Sequence, residues 1–226
     1  MMNKVLCSLL LFLSISCGLQ GRNANYARDS KRIWLDSKEI HHGEYVWKMK
    51  KAGDVISSAE KVSTLGYDTS DWLSAIVPGT VLNSLVYNKE YPEPYYGVNN
   101  KLESGKIPDI SKVGREFYTY WFRTEFDVPE SFAGKTIWLQ PDGVNYRAEI
   151  WVNGNLLSTL NGMFISDYIN VTDFVKVGRK NILAVKVYPV DVPGTTMPKS
   201  WGATGEFHNG GNGNIGLNTT MLMSVG

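Results

Sequence analysis

Apolar and polar side chains alternate one by one over residues 146–152: Tyr146, Ala148, Ile150 and Val152 interleave with Arg147, Glu149 and Trp151. A period of two predicts a strand with one buried face. Asn153-Gly154, directly after it, supplies the positive φ angles that a two-residue hairpin needs. The alternation returns at 44–50, where Tyr45, Trp47 and Met49 interleave with Val46 and Lys48. It is longest at 117–128: Tyr118, Tyr120, Phe122, Phe126 and Val128 share one face, with Trp121, Arg123, Glu125 and Asp127 on the other. Pro129 ends that run, because proline cannot donate to a ladder. At 182–188, Leu183, Val185 and Val187 again face one way. Shorter strands are expected at 33–36, 136–140, 156–160 and 168–171, with a turn at Pro141-Asp142-Gly143.

Helix signals are few. Thr80 is placed to cap a short helix carrying Leu82, Leu85 and Val86 at three- and four-residue spacing, and residues 173–176 suit a single helical turn. Residues 91–100 hold two prolines and a glycine and read as an ordered loop; residues 101–115 read as a polar connection. Short strands joined by turns, with only scraps of helix, predict an all-β sandwich. Residues 1–21 stand apart. Lys4, the apolar run over 5–15 and small residues at Ser14, Ser16 and Gly18 make a secretory signal, too short to span a membrane. Ser14-Ile15-Ser16-Cys17 doubles as a loose lipoprotein box with Cys17 as the lipidated residue, although Ser14 stands where an aliphatic residue is usual. The expectation is an exported chain, either periplasmic or lipid-anchored to the outer envelope. Both cysteines, Cys7 and Cys17, fall inside the signal, so the mature chain has no disulfide and rests on its core. A polar lead-in covers 22–32, and the rest, 33–226, fits one domain. A net charge of +1, from 23 basic and 22 acidic residues, recommends neither nucleic acid nor an anionic membrane as a partner.

Four landmarks, in order, resemble the N-terminal sugar-binding domain of family 2 glycoside hydrolases. They are Trp72 with Val77-Pro78-Gly79-Thr80-Val81-Leu82, then Pro92-Glu93-Pro94-Tyr95-Tyr96-Gly97-Val98-Asn99, then Tyr120-Trp121-Phe122-Arg123-Thr124-Glu125-Phe126, then the segment from Asp142 to Gly154. The doubled tyrosine and the Trp-Phe-Arg strand are more similar to β-mannosidases and exo-β-glucosaminidases than to β-galactosidases. The resemblance implies a galactose-binding-like jelly roll standing before an immunoglobulin-like domain and a catalytic (β/α)8 barrel. In that family two barrel glutamates about 5 Å apart carry out a retaining hydrolysis of O-glycosidic bonds. A barrel takes about 250 residues, so this chain is expected to lack catalysis by itself. The family's first domain closes with a Gly-Ile-Trp type strand. Here 205–218 is rich in glycine and asparagine, an apolar run starts at 219, and the sandwich is expected to be short of its last strand. A free-standing carbohydrate-binding envelope lipoprotein is the alternative reading.

The resemblance also implies where sugar is met. The family's loop between the first helix and the long strand reaches over the barrel, and here it spans 93–100. Tyr95 and Tyr96 suit stacking on the apolar C–H face of a pyranose; Asn99 and Asn100 suit hydrogen bonds to ring hydroxyls; Trp201 is a further pocket wall. The carboxylates of Glu125 and Glu149 fall on the polar faces of their strands and read as solvated charge. His41-His42 and the isolated His208 lack ligand spacing, so no metal site and no cofactor are expected. The partners expected are a β-linked glycoside or oligosaccharide and the downstream domains of the parent enzyme.

Overall fold

The computed structural model describes residues 32–99, 104–108, 115–162, 165–189 and 221–225. The signal segment with Cys17, as well as Asn100 and Trp201, lies outside them. The strands in chain order are β1 (Trp47–Lys51), β2 (Leu73–Ser74), β3 (Gly79–Thr80), β4 (Tyr120–Asp127), β5 (Trp138–Leu139) and β6 (Pro141–Asn145). They continue as β7 (Arg147–Val152), β8 (Asn155–Asn161), β9 (Ile169–Asn170), β10 (Lys180–Tyr188) and β11 (Met221–Val225). Helices α1 (Ala59–Val62) and α2 (Val81–Tyr87) fall between the first strands. Six strands make one sheet in the order β2-β1-β4-β10-β7-β8, and every pairing in it is antiparallel. A second layer holds the sheet β3-β11-β6 and the pair β5-β9. This is the all-β, sandwich-like architecture that the alternation called for.

The inner faces meet as expected. Trp47, Met49, Phe122, Ile150, Val185 and Val187 are buried from the large sheet, and Leu139, Val144 and Ile169 from the second layer. Each such side chain removed from water contributes roughly 1.5–3 kcal/mol. The turn at Asn153-Gly154 has φ of 47° and 87°, the left-handed pair that joins β7 to β8. Gly79 has no alternative, because a Cβ there would lie 2.5 Å from the Ile76 carbonyl oxygen. Thr80 Oγ1 accepts from the Asn83 N–H at 2.9 Å and starts α2, which buries Val81, Leu82 and Leu85.

The structure differs from the sequence reading in three places. Pro141-Asp142-Gly143 opens a strand instead of forming a turn, since β11 pairs with it from far along the chain (Leu222 opposite Val144). Proline is tolerated there as the first residue of β6. Residues 33–36 form no strand; the segment is held by burial of Leu35 and by a bridge between Ser37 and Tyr45. The long alternating run starts late, with a 3-10 turn at Arg115–Tyr118 before β4.

Part of the outer face of the large sheet is buried as well. Trp121, Trp151 and Ala184 point away from the inner core, yet pack with Val62 and Trp72 into a second buried cluster under residues 52–72. Arg123 is 3% exposed on that face. Its Nε donates to the Val62 carbonyl and its Nη2 to that of Thr64, both at 3.0 Å. The Gly154 N–H reaches the Ser63 carbonyl between them. Three carbonyls at the end of α1, which a four-residue helix cannot pair internally, are thus met from the sheet. Arg123 therefore clamps the end of α1 onto the sheet.

Candidate functional site

The loop that follows α2 is positioned from both ends. At its start, Asn88 Nδ2 donates to the Ser74 carbonyl (2.8 Å) and Asn88 Oδ1 accepts from the Ser74 N–H (3.2 Å). The amide side chain therefore imitates a strand partner on the edge residue of β2. Lys89, at φ 63°, turns the chain outward. Tyr91 then anchors the loop; burial raises its hydroxyl pKa, and Tyr118 is its hydrogen-bond partner. Tyr118 itself is fully buried and donates to the Pro108 carbonyl at 3.0 Å.

Within the loop, Glu93 and Asn99 tie the backbone to itself. Asn99 is 7% exposed; its Nδ2 donates to the Glu93 carbonyl (2.8 Å) and its Oδ1 accepts from Lys106 Nζ (2.8 Å). The Asn99 carbonyl accepts from Ser104 Oγ at 3.1 Å. The N–H of Tyr96 donates to the Glu93 carbonyl, that of Asn99 to the Tyr96 carbonyl, and Gly97 sits at φ 57°. Glu93 Oε1 accepts from the Tyr95 N–H at 3.3 Å. The result is a tight, internally bonded bend.

The side chains on that bend divide sharply. Tyr95 and Tyr96 are 87% and 76% exposed. Val98 on the same loop, and Tyr87 at the end of α2, are also exposed. Large aromatic rings held clear of the core by a rigid backbone are costly to leave in water. They suit an apolar partner surface, such as a pyranose face or the wall of a neighbouring domain. Asn99, by contrast, is turned inward, and its amide is committed to holding the bend. It holds the backbone that carries the tyrosines. Glu93 and Lys106 share that task. Sequence reasoning passed over Lys106, since nothing local links it to Asn99; Glu93, two residues before Tyr95, carried the faint signal of a side chain that turns back on its own backbone.

Among the described residues, the carboxylates of Glu149 and Glu125 are engaged away from the loop. Glu149 sits part-buried on the outer face of β7, and its carboxylate accepts from Tyr188 Oη and Trp151 Nε1. Glu125 pairs with Arg123 and Lys180 at 3.6 and 3.5 Å. Among the described residues no cluster of His, Cys, Asp or Glu is arranged to hold a metal ion. Nor, among them, is any helix long and apolar enough to cross a membrane.

Comparison with known proteins places these features in context. Residues 47–205 match the family described as glycosyl hydrolase 2 galactose-binding domain-like. A mannosylglycoprotein endo-β-mannosidase of Lilium longiflorum is 40% identical over 131 residues, covering 58% of this chain and 13% of that protein. An exo-β-D-glucosaminidase of Amycolatopsis orientalis is 29% identical over 149 residues, covering 65% of this chain and again 13% of the relative. The chain thus spans only a small part of the length of the curated relatives it matches. A solved Amycolatopsis orientalis exo-chitosanase shares the fold, with a TM-score of 0.60 at 24% identity over 80% of this chain and 20% of that one.

Proposed function

The chain belongs to the glycosyl hydrolase 2 galactose-binding-like family, and we propose that it is the non-catalytic sugar-binding domain of an exported family 2 β-glycosidase. In that role it braces a catalytic domain and lends the 93–100 loop to substrate recognition. The observation that carries the reading is the pair Tyr95 and Tyr96, almost fully exposed on a bend fastened by Glu93, Asn99 and Lys106. Pre-organisation of this kind reduces the entropy lost when a sugar is stacked. Asn99 acts by positioning; Asn100, by the family resemblance, and Trp201, by its place beside Pro198 and Gly202, remain candidate contacts. The relatives point to a β-linked manno- or glucosamine-configured substrate, hydrolysed by residues outside this chain. The signal-like residues 1–21 support export, to the periplasm or to a lipid anchor at Cys17.

The test is kinetic. In the intact glycosidase that carries this domain, Tyr95→Ala with Tyr96→Ala is expected to raise KM about tenfold, the loss of about 1.4 kcal/mol of binding. Lys106→Met should give a smaller rise in KM by loosening the bend. kcat should be little changed in both. An unaltered KM for oligosaccharide in the double tyrosine variant, with the fold intact by circular dichroism, would rule the reading out.

A further inference from the structure

The second layer leaves another aromatic surface in water, sharing no residue with the 93–99 loop. Trp138 lies opposite Asn170 and Leu139 opposite Ile169. Leu139 and Ile169 are buried, so the alternation puts Trp138 and Tyr168 on the outward face, 53% and 61% exposed. Diagonal neighbours of this kind are about 7–8 Å apart. Both residues line a cavity of about 240 Å³ whose other walls include Phe126, Val128 and Val171. Two of its polar lining residues are engaged with neighbours. Gln140 Nε2 donates to Asp142 Oδ1 at 3.0 Å, and the Arg32 guanidinium lies over the Trp34 ring at 5.9 Å. The cavity is smaller than the roughly 300–1,000 Å³ of small-molecule sites. An apolar hole of that size, flanked by exposed aromatic rings, suits one anchoring side chain from a protein surface.

The course of β11 indicates which protein surface. Val225, the last residue of that strand, is in register with Pro141, and the Pro141 carbonyl accepts from the Asp167 N–H at 3.3 Å. Two strand spacings amount to about 10 Å, so β11 runs out close to Asp167-Tyr168 and to the aromatic surface. The curated relatives are several times longer than this chain, which covers 13% of each of the two described above. Polypeptide joined to β11 is tethered beside Trp138 and Tyr168 at an effective concentration of about millimolar order. Under that tether a small apolar contact is enough to hold a domain in place.

We propose that Trp138, Tyr168 and the cavity they line are the docking surface for the polypeptide that follows β11 in the parent glycosidase, which fills the cavity with one apolar side chain. The inference rests on the proposed function for the existence of a parent enzyme. It holds whether or not Tyr95 and Tyr96 touch sugar. The two exposed aromatic surfaces then have separate tasks: the loop faces substrate, and the second layer faces the neighbouring domain.

The test is hydroxyl-radical footprinting of the intact glycosidase, read residue by residue by mass spectrometry. Trp138 and Tyr168 should be oxidised far more slowly than their intrinsic reactivity allows, whereas the fully exposed Ile56 should react at its intrinsic rate. In Trp138→Asp, Tyr168 should become reactive and the thermal unfolding should split into two transitions, as expected of a domain released from its neighbour. The Tyr95→Ala, Tyr96→Ala double variant should keep Trp138 protected. Full reactivity of Trp138 and Tyr168 in the intact enzyme would overturn the proposal. So would protection that vanishes on dilution, which belongs to a second copy, or protection that appears only with oligosaccharide, which belongs to a sugar. Protection lost on deleting residues 22–31 would assign the cover to the chain's own lead-in and overturn it as well. An unaltered KM in the tyrosine double variant ends the loop reading alone, and a reactive Trp138 ends the docking alone.

Discussion

Asn153 and Asn181 show how single amides fix this fold. Asn153 Nδ2 donates to Asn181 Oδ1 and to the Phe174 carbonyl, both at 2.7 Å, while Asn153 Oδ1 accepts from the Ile182 N–H. Asn181 is completely buried; its Oδ1 also accepts from the Lys176 N–H and its Nδ2 donates to the carbonyls of Lys176 and Arg179. Replacing Asn181 with alanine strands several buried polar groups, and chemical denaturation should show a loss of roughly 1–3 kcal/mol. A loss below the error of the measurement would mean that water replaces the amide. Asp36 is the opposite case. Its raised carboxyl pKa means that the native state holds this proton to higher pH than the unfolded chain does, so stability is lost as pH climbs through the carboxylate range. Asp36→Asn should therefore raise Tm at neutral pH, and the gain should vanish on acidification below the ordinary Asp value. A gain that persists in acid would assign the effect to packing. Of these two features only part was readable in advance. Asn153-Gly154 announces a turn by its own backbone preferences, whereas Asn181 matters only because β10 arrives beside that turn.

The elements divide in the same way. β1, β7 and β10 were readable because half of each strand's residues obey a period of two set by one continuous core. The loop at 93–99 was readable from its prolines and glycine, but the inward turn of Asn99 was not, since its partners are Glu93 and a lysine outside the motif. α1 carries no such signal: it is four residues long and owes its existence to the sheet beneath it. Arg123 supplies two of the donors that end it, and Trp72, Trp121 and Trp151 supply the apolar floor. Arg123→Ala should consequently release residues 52–72 more than the sheet. The expected result is a loss of about 2 kcal/mol of hydrogen-exchange protection in the α1 amides, with the amides shared by β4 and β10 nearly unchanged. An equal loss in both would show that the outer layer and the sheet open as one unit.

At the scale of the whole molecule, the sheet is assembled from partners distant in sequence. β4 lies between β1 and β10, so Phe122 stands opposite Met49 on one side and Val185 on the other. Phe122 is fully buried, and so are both of these partners. Closing such long loops before their contacts form is slow, which places refolding in the millisecond-to-second range typical of non-local β folds. Phe122→Ala removes a ring from the centre of the inner core and should cost roughly 3–5 kcal/mol. Because the β1-β4-β10 triplet joins the two halves of the chain, its pairing is expected to be formed at the folding barrier. Most of the cost should then appear as slower folding, with the unfolding arm of the denaturant plot moved little. If the unfolding arm takes the change instead, the triplet closes after the barrier, and the β7-β8 hairpin with its Asn153–Asn181 lock becomes the element that forms first.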